Sequence, residues 1–241
     1  MDVPQSDPPS AAGMATSRVG VRGLRTPRSA GIAGVAFSIL FVAAFVCARV
    51  VVPADPTDAG TWLTDSRKKD VALVGLALAP FAGIAFLWFI GVVRSRIGEA
   101  EDRFFATVFL GSGLLFIALF LASLAITTGL VESASSGSSQ KLADSGVWVV
   151  GRHVSESILE VALIMAGVFT TAASTIILRT GAVPRWLGLT GSVVAVVMVL
   201  EGQRAEPWVL LAFPVWVLAL SLSLLAMASH RLAGPTFSPH S

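Results

Sequence analysis

Charge is scarce in this chain of 241 residues. Asp, Glu, Lys and Arg make up 13% of it, against roughly 25% in an ordinary soluble domain. Hydrophobic residues make up 54%, and the mean hydropathy is +0.79. The apolar residues come in long blocks separated by short polar breaks. That excludes a water-soluble globule and a disordered chain, and points to a polytopic membrane protein. Cysteine is scarcer still. Cys47 stands alone, so there is no intrachain disulfide and no multi-cysteine metal or iron–sulfur site. Histidine occurs at 153, 230 and 240 only. The last two lie at or beyond the end of the final apolar block, so a bis-histidine haem inside a helix bundle is not available. No cofactor is expected.

Lysine is limited to Lys68, Lys69 and Lys141, and arginine supplies the other basic residues. A net charge of +2 and a pI near 9.2 could suit a nucleic acid. The arginines, however, sit beside apolar blocks, where they act as orientation signals. No nucleic-acid partner is expected; the expected partner is the lipid bilayer.

Residues 1–29 carry Pro4, Pro8, Pro9 and spaced arginines without helical period, and read as a disordered tail. Six apolar blocks follow, at about 30–52, 71–93, 104–131, 148–178, 186–203 and 207–229. The first is longer than the roughly 7–15-residue core of a signal peptide, so cleavage is not expected. The fifth has an apolar core of only 186–200. That is roughly 22 Å of helix, short for a full span, with a re-entrant segment as the alternative. Pro207 suits the first position of a helix. Residues 232–241 form a polar tail.

With an inside N-terminus and six spans, ten basic residues fall inside and seven outside. The short inner connections hold Arg94, Arg96, Arg103, Arg179 and Arg185. Short basic connections favour the cytoplasm, so both termini are expected there, in a multi-pass plasma-membrane protein. The Arg67-Lys68-Lys69 cluster opposes this orientation. Trp148 and Trp208 fall at outer helix ends and Trp88 and Trp186 near inner ones, as interfacial rings should. Trp216 is mid-helix and reads as packing.

The most informative stretch is Arg152-His153-Val154-Ser155-Glu156-Ser157-Ile158-Leu159-Glu160. Positions 152, 156 and 160 are successive i,i+4 neighbours and His153 is three from Glu156, so the four are expected on one helix face. Gly167, Thr171 and Ser174 continue it; Ile158, Met165 and Phe169 lie on the apolar side. An ionised carboxylate facing lipid costs at least about 2.5–3.5 kcal/mol at the bilayer centre. Glu160 should therefore face the bundle interior, pair with a base or be protonated; the expected basic partner is Arg49, Arg152 or Arg204. Functionally, Glu160 would be an ionisable gate, His153 a titrating neighbour, and Arg49 or Arg204 the counter-charge. The alternative is an interfacial ion-pair network anchoring the fourth helix. A metal site on His153, Glu156 and Glu160 has too thin a ligand set to be expected.

Gly111-Ser112-Gly113 is similar to the serine motif of rhomboid proteases but has Leu110 where that motif has glycine. Close packing through small residues explains it better. Three other stretches carry a family resemblance: Gly31-Ile32-Ala33-Gly34-Val35-Ala36-Phe37, Phe86-Leu87-Trp88-Phe89-Ile90-Gly91, and Arg179-Thr180-Gly181-Ala182-Val183-Pro184-Arg185-Trp186-Leu187-Gly188. Together they resemble a group of actinobacterial six-helix integral membrane proteins, akin to the domain-of-unknown-function group numbered 4386. The resemblance covers about residues 30–230 and implies a six-helix plasma-membrane protein. It carries over no activity and no site residues.

The expected fold class is thus all-α, a bundle of six transmembrane helices over 30–231. The expected function is that of an integral membrane protein without a catalytic set, hence not an enzyme. A small transporter or channel-like protein using the fourth helix's polar face is the alternative, with a membrane-embedded enzyme behind it.

Overall fold

The computed structural model describes residues 27–51, 66–97, 103–133, 146–181, 183–201 and 207–230. Most of the two tails, the greater part of the 53–70 connection, and Arg204 lie outside the described residues. Every regular element among the described residues is helical. The helices are α1 (Pro27–Val51), α2 (Ser66–Ile97), α3 (Arg103–Ser133), α4 (Val147–Thr180), α5 (Arg185–Glu201) and α6 (Ala212–His230). A 3₁₀ turn, Pro207–Leu211, leads into α6. Five stretches are long and apolar enough to cross a membrane: Ser29–Ala48, Asp70–Arg94, Phe104–Ser133, Val147–Thr180 and Trp208–Ser229. The chain is accordingly a multi-pass membrane protein. The fifth block forms a shorter apolar helix, Arg185–Leu200.

Helix ends follow local chemistry. Gly146 and Gly181 bracket α4 with φ of 69° and 62°, a left-handed conformation that glycine adopts without steric penalty. The Gly181 N–H donates to the Ile177 carbonyl at 3.0 Å, which satisfies one orphan acceptor of the last turn. Pro207 opens the sixth block as the first residue of a helical turn, which is 3₁₀. Pro214 has no N–H for the Leu210 carbonyl and its ring crowds that oxygen, so the α-ladder starts only at Ala212.

Each helix packs on the next in the chain, and α6 returns to lie against α1. Small residues mark the close approaches. Gly31 and Gly34 of α1 face Leu225 and Ser221 of α6, and Gly75 of α2 faces Cys47 of α1. Gly151 of α4 faces Leu130 of α3, and Gly167 of α4 faces Ala195 and Val199 of α5. In lipid, packing and hydrogen bonds hold helices together, and small residues let backbones come close enough for both.

Phenylalanine fills the middle of the ring. Phe86 of α2 lies 4.6 Å from Phe37 of α1, 5.4 Å from Phe116 of α3, 5.3 Å from Phe169 of α4 and 5.7 Å from Phe213 of α6, between ring centroids. All five rings are fully buried. Such tilted and edge-on pairs contribute about 0.5–1.5 kcal/mol each beyond burial. Phe169, on the apolar side of α4, therefore packs at the centre. Trp148, in the first turn of α4, is buried against Ala72, Leu130 and Val131. Trp88, Trp186 and Trp208 are exposed, as interfacial rings should be. Trp216 is buried and donates its indole N–H to the Leu187 carbonyl at 3.0 Å.

Candidate functional site

The polar stretch of α4 begins one turn inside the helix. Arg152 is 6% exposed, and its Nη2 donates to Glu156 Oε1 at 2.8 Å. This is the i,i+4 pair expected from the spacing. Glu156 is half-buried, so one partner is enclosed by protein and the other reaches the edge of the enclosure.

Opposite the pair stand two hydroxyls of α3. Ser123 Oγ donates to the Ser155 carbonyl at 2.8 Å, and Ser155 Oγ donates to the Ser123 carbonyl at 3.0 Å. Thr127 Oγ1 lies 2.9 Å from Ser155 Oγ and 3.0 Å from the Ser123 carbonyl. These hydroxyls, Arg152 and Glu156 line one wall of a cavity of about 40 Å³. Phe45 and Ala48 of α1, with Phe120, Leu124 and Leu159, form the apolar remainder. Phe120 stacks on Phe41 at 4.5 Å, so the floor of the cavity is also the start of the phenylalanine core. The space is large enough for water and is polar on one side, which meets both conditions for hydration.

The structure divides the expected face. Arg152, Ser155 and Glu156 meet at the cavity. His153 does not: it is exposed, and it lines a surface groove with Leu119, Val154, Ser157, Ile158 and Val161. Its Nδ1 lies 2.9 Å from the Val149 carbonyl of its own helix. Glu160 is half-buried and is not among the lining residues of the cavity. The reason is helical drift. Four residues turn an α-helix about 40° past a full circle, so Glu156 stays beside Arg152 while Glu160 is carried toward the flank of His153. Among the described residues Glu160 makes no ion pair. Of its expected partners, Arg152 is paired with Glu156. The side chain of Arg49 and the whole of Arg204 lie outside the described residues. Farther along α4, Gly167 and Ser174 are buried as expected, whereas Thr171 is exposed.

Ser123 and Thr127 carry much of the site's polarity and were not among the expected residues. Their signal was present: two of the hydroxyls of α3, four apart and so on one face. What they would meet depends on the α3–α4 register. Chemically, the cavity offers a buried cation, a reachable carboxylate and three hydroxyls. Its serine hydroxyls are engaged with backbone carbonyls, and no imidazole lines it. Among the described residues no group of three or more His, Cys, Asp or Glu is placed to hold a metal ion. Ser112 donates to the Val108 carbonyl at 2.6 Å, and Gly113 packs on Ile90 and Phe169, so this motif serves helix contact. No family model, curated protein or solved structure matches this chain.

Proposed function

We propose that this chain is a six-span plasma-membrane protein, with both termini cytoplasmic and α5 as the shortest span, related to the actinobacterial six-helix group it resembles. It works without a catalytic centre. Its working part is the α3–α4 cavity, which takes up a proton or a small polar solute at the outer face as the binding site of a small transporter. The observation that carries this reading is the Arg152–Glu156 pair beside Ser123, Thr127 and Ser155, around a space large enough for water. Ionisable residues within membrane helices mark functional sites by default. A passive channel fits less well, because Phe37, Phe86, Phe116, Phe169 and Phe213 fill the middle of the ring. Transport would need that layer to part, which favours alternating access over an open pore.

Two experiments test the reading. Reporter fusions within 133–146 and after Ser241 should fall on opposite sides of the membrane; the same side would refute six spans. Purified protein in vesicles should move a solute under a pH gradient, and Glu156→Gln should stop the movement while the variant still melts as a folded protein. A wild-type protein inert across a broad solute panel reduces the pair to a structural contact.

A further inference from the structure

A second cavity, of about 70 Å³, lies toward the opposite ends of the helices from the Arg152 site. Phe89 and Val93 of α2, Phe109 of α3, Ala173 and Ile177 of α4, and Leu220 of α6 are among its walls. Thr180 supplies the one hydroxyl, and its Oγ1 already donates to the Ile176 carbonyl at 2.9 Å. A buried water needs two to four polar partners, and these walls do not offer them. The natural occupant of such a space in a membrane protein is hydrocarbon. The lining runs along α4 from Thr180, its last residue, inward to Phe169, a depth of about 16 Å.

The rim is basic. Arg94 directly follows Val93, Arg179 directly precedes Thr180, and Arg185 follows Val183 by two residues; all three arginines are exposed. Arg179 holds its guanidinium 4.6 Å from the centroid of the Phe105 ring, so it is posted at this end of the bundle rather than extended away from it. Arg96 and Arg103 belong to the same end by sequence, and the connection between them adds Glu99, Glu101 and Asp102. Five arginines against three acids leave the end net positive.

We propose that this cavity is a lipid site, holding the first methylenes of one acyl chain of an anionic phospholipid whose phosphate is drawn to the arginines at the rim. The cavity is about half the size of the roughly 150 Å³ apolar cavity that takes a benzene, so it accommodates a short length of chain and leaves the rest against the protein surface. Hydrocarbon surrounds the protein already, so filling the cavity gains contact rather than hydrophobic energy. Preference among lipids therefore comes from the headgroup. This proposal is independent of the Arg152 cavity and of any transport activity.

The test uses the full-length protein in detergent, incubated with dioleoyl phosphatidylglycerol or dioleoyl phosphatidylcholine and analysed by native mass spectrometry. Wild type should retain the anionic lipid about fivefold better per arginine engaged. Arg94→Gln, Arg179→Gln and Arg185→Gln together should remove that preference while the variant still melts as a folded protein. Ala173→Leu fills the cavity and should lose retention of both lipids. Should Ala173→Leu fail to fold, Val93→Phe narrows the mouth from a half-buried position and gives the same readout. Water-soluble glycerol phosphate should not displace the bound lipid. Equal retention of the two lipids by wild type, unchanged retention in a folded filled variant, or displacement by glycerol phosphate would each overturn the proposal.

Discussion

Ser123 and Ser155 each donate a hydroxyl to the other's backbone carbonyl, at 2.8 and 3.0 Å, across the contact between α3 and α4. Each hydroxyl meets its partner only when the two serines lie side by side, so the exchange belongs to one register of the two helices. Arg152 lies one turn before Ser155 on α4. Its direction into the cavity follows from that register.

Ser155→Ala should destabilise the protein by about 0.6–1.7 kcal/mol, the range of interhelical hydrogen bonds in membranes. The double variant Ser123→Ala/Ser155→Ala should cost less than the sum of the two single changes, because they share the same bonds. Unfolding in mixed micelles measures both.

The ion pair should respond asymmetrically. Arg152 is 7% exposed in its side chain and Glu156 is 31% exposed. Glu156→Gln leaves an enclosed guanidinium that cannot shed its proton, and removing one partner of a buried pair typically costs about 3–5 kcal/mol. Arg152→Met leaves a carboxylate that can reach solvent or take up a proton, so its cost should be smaller. The double variant should be more stable than Glu156→Gln alone. Melting of the three variants decides the order; equal losses would contradict it.

Gly34→Ala should part α1 from α6, since a methyl group there would overlap Ser221 Oγ and meet the Phe89 ring at 2.9 Å. Ser221→Gly in the same protein should restore part of the lost stability by clearing the first of these clashes. The checking measurement is the melting temperature of the single and double variants.

Phe86→Ala should cost about 3–5 kcal/mol, as large-to-small changes at buried aromatic sites do. Phe81→Ala should stay within about 0.5 kcal/mol, as exposed positions do, because Phe81 is 59% exposed. Comparing the two by thermal unfolding tests the central packing directly.

That last contrast shows where sequence reasoning stopped. Hydropathy located the helices, because a long apolar block has few other uses. It could not say which way a phenylalanine points: Phe81 and Phe86 lie in the same helix, and the lipid is as apolar as the core. In water an outward phenylalanine would be conspicuous; in a bilayer the usual inside–outside signal vanishes. The candidate site was readable where the information was local. Arg152 and Glu156 share one helix, and their spacing alone puts them together. Ser123 and Thr127 entered only with the α3–α4 register. Glu160 lies two steps of four beyond Arg152, so the offset of the i,i+4 repeat accumulates and carries it off the cavity wall.

The short fifth helix bears on the membrane itself. As a span, the 17 residues of α5 measure about 25 Å, less than the roughly 30 Å thickness of the hydrocarbon layer. Its outward residues Leu189, Val193, Val196 and Leu200 are apolar and more than half exposed, so lipid must meet them directly. As the sixth span proposed above, α5 would draw the leaflets beside it together, whereas the 34-residue α4 would not. Such mismatch carries a modest energy per ångström and sorts proteins among membranes of different thickness. With six spans, the protein would sit in a collar of uneven depth, its thin side set by α5 alone.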